Sequence, residues 1–594
     1  MVERILWLGW VALIFAVLGF GGAIPSSFYQ NLFQTSLVLA LVKPLYVFSL
    51  MLASSIFILC AVQRRSRIAS LLSTIGQNAT WLAASLVAAS PFLYLVITKR
   101  LVVDFWLDEL ISIRRHIVTT IDRALLWYPL PNNHVFTNAL SGIYLKLLDA
   151  KNLLTVLENP QVLRLFYLLF ALGAVLVAGG TAYRFISKSA SLITVVLWTT
   201  TIVFLNYAAQ VHGYAPTLFF VSLLLFFILK YREEQSLSTG LVILTLAAML
   251  FYTMPSNIYF LGGLAAYFAV DGIIAMRKTG QWRFSIRDSA FTLGNRELSI
   301  CIFIGLGCLL AFVFYLPILK KMLDNRYLAT LGWFQGTAFS HTFGPVITAF
   351  VSDRWHLFLL AAAGFVIGTI ALDPQLKKYR SMVFFLAFSI LLPFILSFIR
   401  GDDPFVRTFL FSMPAFFLLG AIGLEIIFVM VRERVRSSKF QIPALILAFI
   451  VYANIVFVMS YNRISEQIRY VLETEDVNFV EYRDDRLAAS VFLDHYSVLD
   501  VVREFLALAD PAVPVYVDQA NTRYDFALTS YMEAFNIDYV STGDFGSLSG
   551  SQVYIFLSYP RKSMNELKSF FPEAHCELIT ETLSIYRVAE CTLD

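Results

Sequence analysis

The stretch TKRLVVDFWLDELISIRRHI (98–117) leads out of an apolar run at 79–98. Residues 104–117 of it carry the acids Asp104, Asp108 and Glu109 and the bases Arg114, Arg115 and His116. Charge this dense at the lip of a hydrophobic segment marks a bilayer boundary, and the rest of the chain can be laid out from it. The protein has 594 residues, 58% of them hydrophobic and 14% charged, with a mean hydropathy of +0.71. A soluble domain carries about 25% charged residues. Apolar runs of about twenty residues recur, each able to cross a hydrocarbon core of about 30 Å. The chain therefore reads as an α-helical polytopic membrane protein.

Thirteen spans are expected, near 4–24, 36–62, 79–98, 164–184, 190–208, 213–231, 239–254, 256–274, 299–319, 356–373, 381–399, 408–431 and 441–460. The first is read as a retained helix, because its apolar run is longer than a signal peptide's. The net charge of +4 says less than its placement. Basic loops at 63–67, 183–188, 230–234, 276–287, 376–380 and 432–439 alternate with loops poorer in Lys and Arg. The positive-inside rule puts these basic loops in the cytoplasm. The 104–117 segment, the turn near residues 206–214, the stretch 320–355, residues 399–407 and everything after 460 then lie outside. The expected location is the cell (plasma or inner) membrane, with a cytoplasmic N-terminus.

Residues 514–518, 537–542 and 552–559 read as strands and 523–535 and 563–571 as helices, a small α/β domain with its own core. A charged linker (475–490) precedes it. Three units follow: an N-terminal helix pair (1–78), a membrane domain (79–460) with a large outer loop at 99–163, and an extracytoplasmic linker and α/β domain (461–594). Cys576 and Cys591 flank two short strands; a cross-strand disulfide and two free thiols both remain open. Cys60, Cys301 and Cys308 read as small core residues.

Read as a helix, 104–117 places Asp104, Asp108 and Arg115 on one face, with Glu109 about 100° away and His116 one heptad beyond it. Phe105 and Trp106 suit the membrane interface. The plain alternative is a solvated loop with aromatic anchors. A carboxylate beside a membrane serves as a general base when it reaches a nucleophile's proton at about 2.6–3.2 Å. The following YPLPNNHVFTNAL (128–140) adds Asn132, Asn133 and His134.

Taken in order, these pieces resemble the GT-C membrane glycosyltransferases, in particular bacterial relatives of protein O-mannosyltransferases and of lipid A aminoarabinose transferases. WLDE (106–109) matches the acidic motif, PNNHVFTNAL (131–140) the second outer-loop element, and VLRLFYLLFALGAVL (162–176) the start of the next span. AAQVHGYAP (208–216) is similar to a further element, with His212 where the family has Arg. VRTFLFSMPAFFLLG (406–420) supplies Arg407 near the donor phosphate. The resemblance covers the chain from about residue 80. It implies a sugar donor on a polyprenyl phosphate, a glycan, lipid or protein acceptor, and inverting transfer. Asp108 would be the base, with Glu109 beside it.

Under this resemblance Arg407, His212, Tyr214, Lys321 and Arg326, with Lys320, are the donor-side candidates, and Asp104, Asn133 and His134 the acceptor-side or orienting ones. Snorkelling at a helix end is the alternative for Arg407 and for the 320–326 cations. Packing or capping is the alternative for His134, His212 and Tyr214. Asp402 and Asp403 read as a solvated turn, and Glu425 as a structural acid paired with Arg432 or Arg434. No His/Cys cluster suggests a metal, no cofactor is expected, and the implied partners are membrane lipids and not nucleic acid. A transporter or flippase of lipid-linked sugars would place its polar groups near the bilayer midplane. A non-catalytic envelope assembly factor would be indifferent to loss of Asp108.

Overall fold

The structure is a computed structural model. It describes residues 79–128, 133–279, 284–287, 290–293, 295–323, 334–370, 374–402, 406–434, 441–474, 497–518, 522–542, 545, 548–558, 565, 567–569, 571–582, 584 and 586–593. The two expected N-terminal spans, the linker 475–490, Asn132, Asp403 and Arg326 lie outside these residues.

Among the described residues, seven helices are long and apolar enough to cross a membrane: Pro160–Phe185, Tyr214–Glu234, Pro255–Lys278, Arg296–Tyr315, Tyr379–Arg400, Arg407–Val431 and Pro443–Gln467. An eighth span arises if His341–Val351 and Trp355–Ile367, bent by 100°, count as one. The chain is a multi-pass membrane protein. The expected count of thirteen spans is not confirmed among the described residues, and several of the expected segments are broken or short. Segment 79–98 is broken into Ala79–Ala88, Ser90–Leu95 and a π-helical turn at Val96–Arg100. Leu237–Thr253 is a shorter apolar helix. Segment 190–208 splits into Lys188–Thr199 and Ile202–Tyr207.

That last break has a chemical cause. The buried Arg354 guanidinium donates to the Leu197 carbonyl at 2.7 Å, the Thr200 hydroxyl at 2.6 Å and the Thr201 hydroxyl at 2.7 Å. Thr200 and Thr201 in turn donate to the Val196 and Leu197 carbonyls. Side chains thus supply local partners that compete with the continuing helix.

The helix ends sort into two sets. One carries the ion pairs Arg184–Glu233 (2.8 Å) and Arg232–Glu297 (3.1 Å), on loops rich in basic residues. Near that end Glu425 is buried and accepts from Ser189 Oγ at 2.6 Å; the side chains of Arg432 and Arg434, its expected partners, lie outside the described residues. The other end gathers the acidic loop, residues 208–213, the turn at Met254–Asn257, residues 401–402 and 406–407, and the α/β region.

Strands β1 (Phe284–Arg287) and β2 (Ala290–Leu293) pair antiparallel in the basic loop after Pro255–Lys278. The α/β region holds β3 (Val515–Asp518), β4 (Val540–Thr542), β5 (Gln552–Ser558), β6 (His575–Leu578) and β7 (Tyr586–Thr592), which form a five-stranded sheet of order β4-β3-β5-β7-β6. β3 runs parallel to β4 and β5; β7 is antiparallel to β5 and β6. A disulfide joins Cys576 to Cys591, directly opposed in the β6–β7 register. Alternation along β5 divides the core, as a pleated strand requires. Tyr554 and Phe556 join Val498, Val502, Phe505 and Tyr531 in a core continuous with the membrane helices. Val553, Ile555 and Leu557 face a second core with Leu567 and Ala589. The helices Val498–Leu508 and Thr522–Ala534 are therefore the layer between the sheet and the acidic loop.

Candidate active site

Trp106 starts the site. Its N–H donates to Glu109 Oε2 at 2.7 Å, which begins the helix Leu107–Ser112. A carboxylate three residues in satisfies a donor left open at a helix N-terminus. A π-helical turn, Ile113–Ile117, follows. Asp104 therefore lies before the helix, and the expected shared face of Asp104 and Asp108 does not form. The two carboxylates part: Asp104 turns to the α/β region and Asp108 to residue 407.

Glu109 is fully buried. Besides Trp106, its carboxylate accepts from Val211 N–H at 2.7 Å and from Arg164 Nη2 at 2.9 Å. Arg164 is equally buried and also donates to the carbonyls of Arg100 (2.6 Å) and Asp104 (2.8 Å), with Phe105 5.0 Å from its guanidinium. Charge this deep is stable only when paired and hydrogen-bonded. Glu109 thus has its oxygens committed to the chain and fixes its neighbour. Sequence reasoning passed over Arg164. Its signal was present, since an arginine entering an apolar span is costly without a partner.

Asp108 Oδ2 meets Arg407 Nη2 at 3.0 Å, with 16% and 30% of the two side chains exposed. Arg407 comes from the 3-10 turn Val406–Ser412, far along the chain. Around the pair stand buried rings. His134 precedes the helix Val135–Leu147, and its Nε2 lies 2.7 Å from His212 Nε2, so one neutral imidazole donates to the other. His212 stacks on Tyr214 at 4.4 Å between centroids. Gly213 permits this approach, since a Cβ there would stand 3.1 Å from His134 Nδ1.

Burial, then electrostatic coupling to His116 and to the Arg407 guanidinium, holds His134 down to about 3. His212 is pushed well below its usual value by burial, then His134 and Arg407. His116, buried against Trp127, is lowered to about 4 by desolvation, Arg123 and Arg115. A buried imidazole resists protonation, so these three are uncharged near neutrality. Asp104 moves the other way, to about 7: desolvation raises it, the hydrogen bond from Leu499 lowers it, and Asp500 raises it further. Asp402 is raised to about 6 by burial and faces Arg400 at 3.5 Å, so it is not the freely solvated turn expected.

The structure thus brings together Asp108, Arg407, His134, His212 and Tyr214, with Glu109 beneath. It places others apart. Asn133 is buried, donating to the carbonyls of Ala124 and Trp127 and accepting from Asn138, so its amide closes a loop. Lys321 is exposed on the short helix Leu319–Leu323. A partly exposed carboxylate beside a guanidinium, with neutral aromatic walls, suits proton acceptance next to an anion site.

No protein-family model matches the chain, and no curated protein matches it. Among solved structures it is similar to ArnT from Cupriavidus metallidurans bound to undecaprenyl phosphate, at 13% identity and a TM-score of 0.49, over 87% of this chain and 98% of that one. It is also similar to the archaeal oligosaccharyltransferase AglB from Archaeoglobus fulgidus, in complex with an inhibitory peptide and a dolichol-phosphate. That match has 10% identity and a TM-score of 0.42, over 77% of this chain and 64% of that one.

Proposed function

We propose that the protein is a membrane glycosyltransferase that moves a sugar from a polyprenyl-phosphate carrier to an extracytoplasmic acceptor. The observation that carries this reading is the Asp108–Arg407 pair, a carboxylate and a guanidinium from distant segments meeting where the acidic loop closes over the helix ends. The acceptor hydroxyl gives its proton to Asp108 as its oxygen bonds the anomeric carbon. The bond from that carbon to the phosphate oxygen breaks, and its electron pair leaves on the phosphate. Attack opposite the leaving group inverts the configuration. Arg407 meets the phosphate charge with a planar fork suited to it. While Arg407 holds Asp108, phosphate and carboxylate compete for one guanidinium, so donor binding frees the base for the acceptor. The neutral rings of His134, His212 and Tyr214 wall the site without adding charge.

The outward placement of this end follows from the basic loops on the other end. The Cys576–Cys591 disulfide agrees, since disulfides persist in oxidising compartments. The test is a strain carrying Asp108→Asn. Mass spectrometry of its surface glycans should show loss of one sugar mass at normal protein level. Unchanged glycans would refute the reading and favour an assembly factor.

A further inference from the structure

The segment that carries Asp108 is held from two directions. Glu109 is tied from below by Arg164 and Val211. From above, the α/β region touches the same segment on both flanks of residue 108. Asp104 Oδ2 accepts the Leu499 N–H at 2.7 Å, in the first turn of Val498–Leu508. The Phe105 N–H donates to Tyr531 Oη at 3.3 Å, and Tyr531 is fully buried on Thr522–Ala534. Beyond Asp108, Arg114 forms an ion pair with Glu533 and reaches Ser530 Oγ at 3.5 Å. These contacts are polar and specific to one register of loop against helix. Apolar packing alone would not need a buried carboxylate or phenol at the seam.

We propose that the α/β domain positions Asp108, with Asp104 and Tyr531 as its positioning residues. The inference rests on the reading of Asp108 as the base. Arg407 belongs to another segment, the turn Val406–Ser412, and meets Asp108 from the membrane domain. Loosening the grip therefore shifts the base while leaving the phosphate partner in place. Displacement of a reacting group by a fraction of its reach lowers turnover without weakening ground-state binding.

The experiment uses the full-length protein with Tyr531→Phe, Asp104→Leu and Asp104→Asn. Hydrogen exchange of peptides within 104–117 is compared with that of Val135–Leu147, affinity is measured with undecaprenyl phosphate as the probe, and product is the sugar-bearing fraction of surface glycans. Tyr531→Phe and Asp104→Leu should speed exchange within 104–117 and lower product by roughly tenfold or more. Their affinity for the probe should stay within about twofold of wild type. Asp104→Asn keeps an oxygen acceptor for Leu499 and should retain product. Unchanged exchange in both variants, or full product despite faster exchange, overturns the proposal. An Asp108→Asn control that keeps full product would instead refute the base assignment, with the exchange data still judging the grip.

Discussion

Glu109 and Asp108 are chain neighbours with opposite surroundings, and substitution should tell them apart. In Glu109→Gln the amide nitrogen must face a donor whichever way it turns, because Oε1 takes Val211 N–H and Oε2 takes Trp106 N–H and Arg164. It also leaves Arg164 buried without its countercharge. Breaking a buried pair costs about 3–5 kcal/mol, so the purified protein should unfold at a clearly lower temperature. Asp108→Asn removes a partly exposed pair, for which about 0–1 kcal/mol is usual, and should leave the melting temperature close to wild type. Asp104 makes a pH prediction. Its raised value means that the native state keeps a proton that the unfolded chain releases between about 4 and about 7. Its stabilising effect is full below that window and is lost as pH rises through about 7. The lowered histidines act oppositely: the unfolded chain takes up protons below about 6.5 that the native state refuses, so they cost stability on acidification. Melting curves should show Asp104→Asn gaining on wild type as pH rises from 5.5 to 8. A constant difference would mean that Asp104 does not titrate in that range.

Elements were legible where a long apolar run alone defines them, and less so where a partner from far along the chain decides. Pro160–Phe185 and Tyr214–Glu234 lie close to the spans read from composition. The start of Leu107–Ser112 was not readable, because a Glu109 side-chain bond to Trp106 N–H excludes Asp104 from the helix. Nor was the break at Thr200–Thr201, which depends on Arg354. The helix Val498–Leu508 was overlooked although its signal exists: Val498, Leu499, Val501, Val502 and Phe505 form one buried stripe. The set Asp108, Arg407, His212, Tyr214 and His134 was assembled through family resemblance, since no spacing rule links positions so far apart. Helix crossing adds a prediction at this scale. A Cβ on Gly364 would overlap the Gly423 carbonyl, and one on Gly423 would overlap the Ala361 carbonyl. Small residues let membrane helices approach this closely. Gly364→Val should separate Trp355–Ile370 from Met413–Arg434, with an overpacking cost of about 1–3 kcal/mol, read as a lower melting temperature in detergent.

At the scale of the whole molecule, the proposed chemistry requires one end of the helix bundle to face the outer compartment. Arg184, Arg232 and Arg296 cluster at the opposite end, where they pair with Glu233 and Glu297. Retention of such basic ends in the cytoplasm is the strongest sorting rule for short loops. The disulfide closes a loop with a sequence separation of 15, a length for which cross-linking contributes about 3 kcal/mol in the chain-entropy account. That contribution exists only where the bond stays oxidised. Both arguments support the orientation proposed above, and single cysteines can test it directly. Cys60, Cys301 and Cys308 would first be replaced by alanine, leaving the disulfide pair in place. Ala512→Cys, exposed before β3, should then react with a membrane-impermeant maleimide in intact cells. Lys278→Cys, exposed at the basic end, should react only after permeabilisation. The reverse pattern would turn Asp108 toward the cytoplasm, and an acceptor outside the cell could no longer reach it.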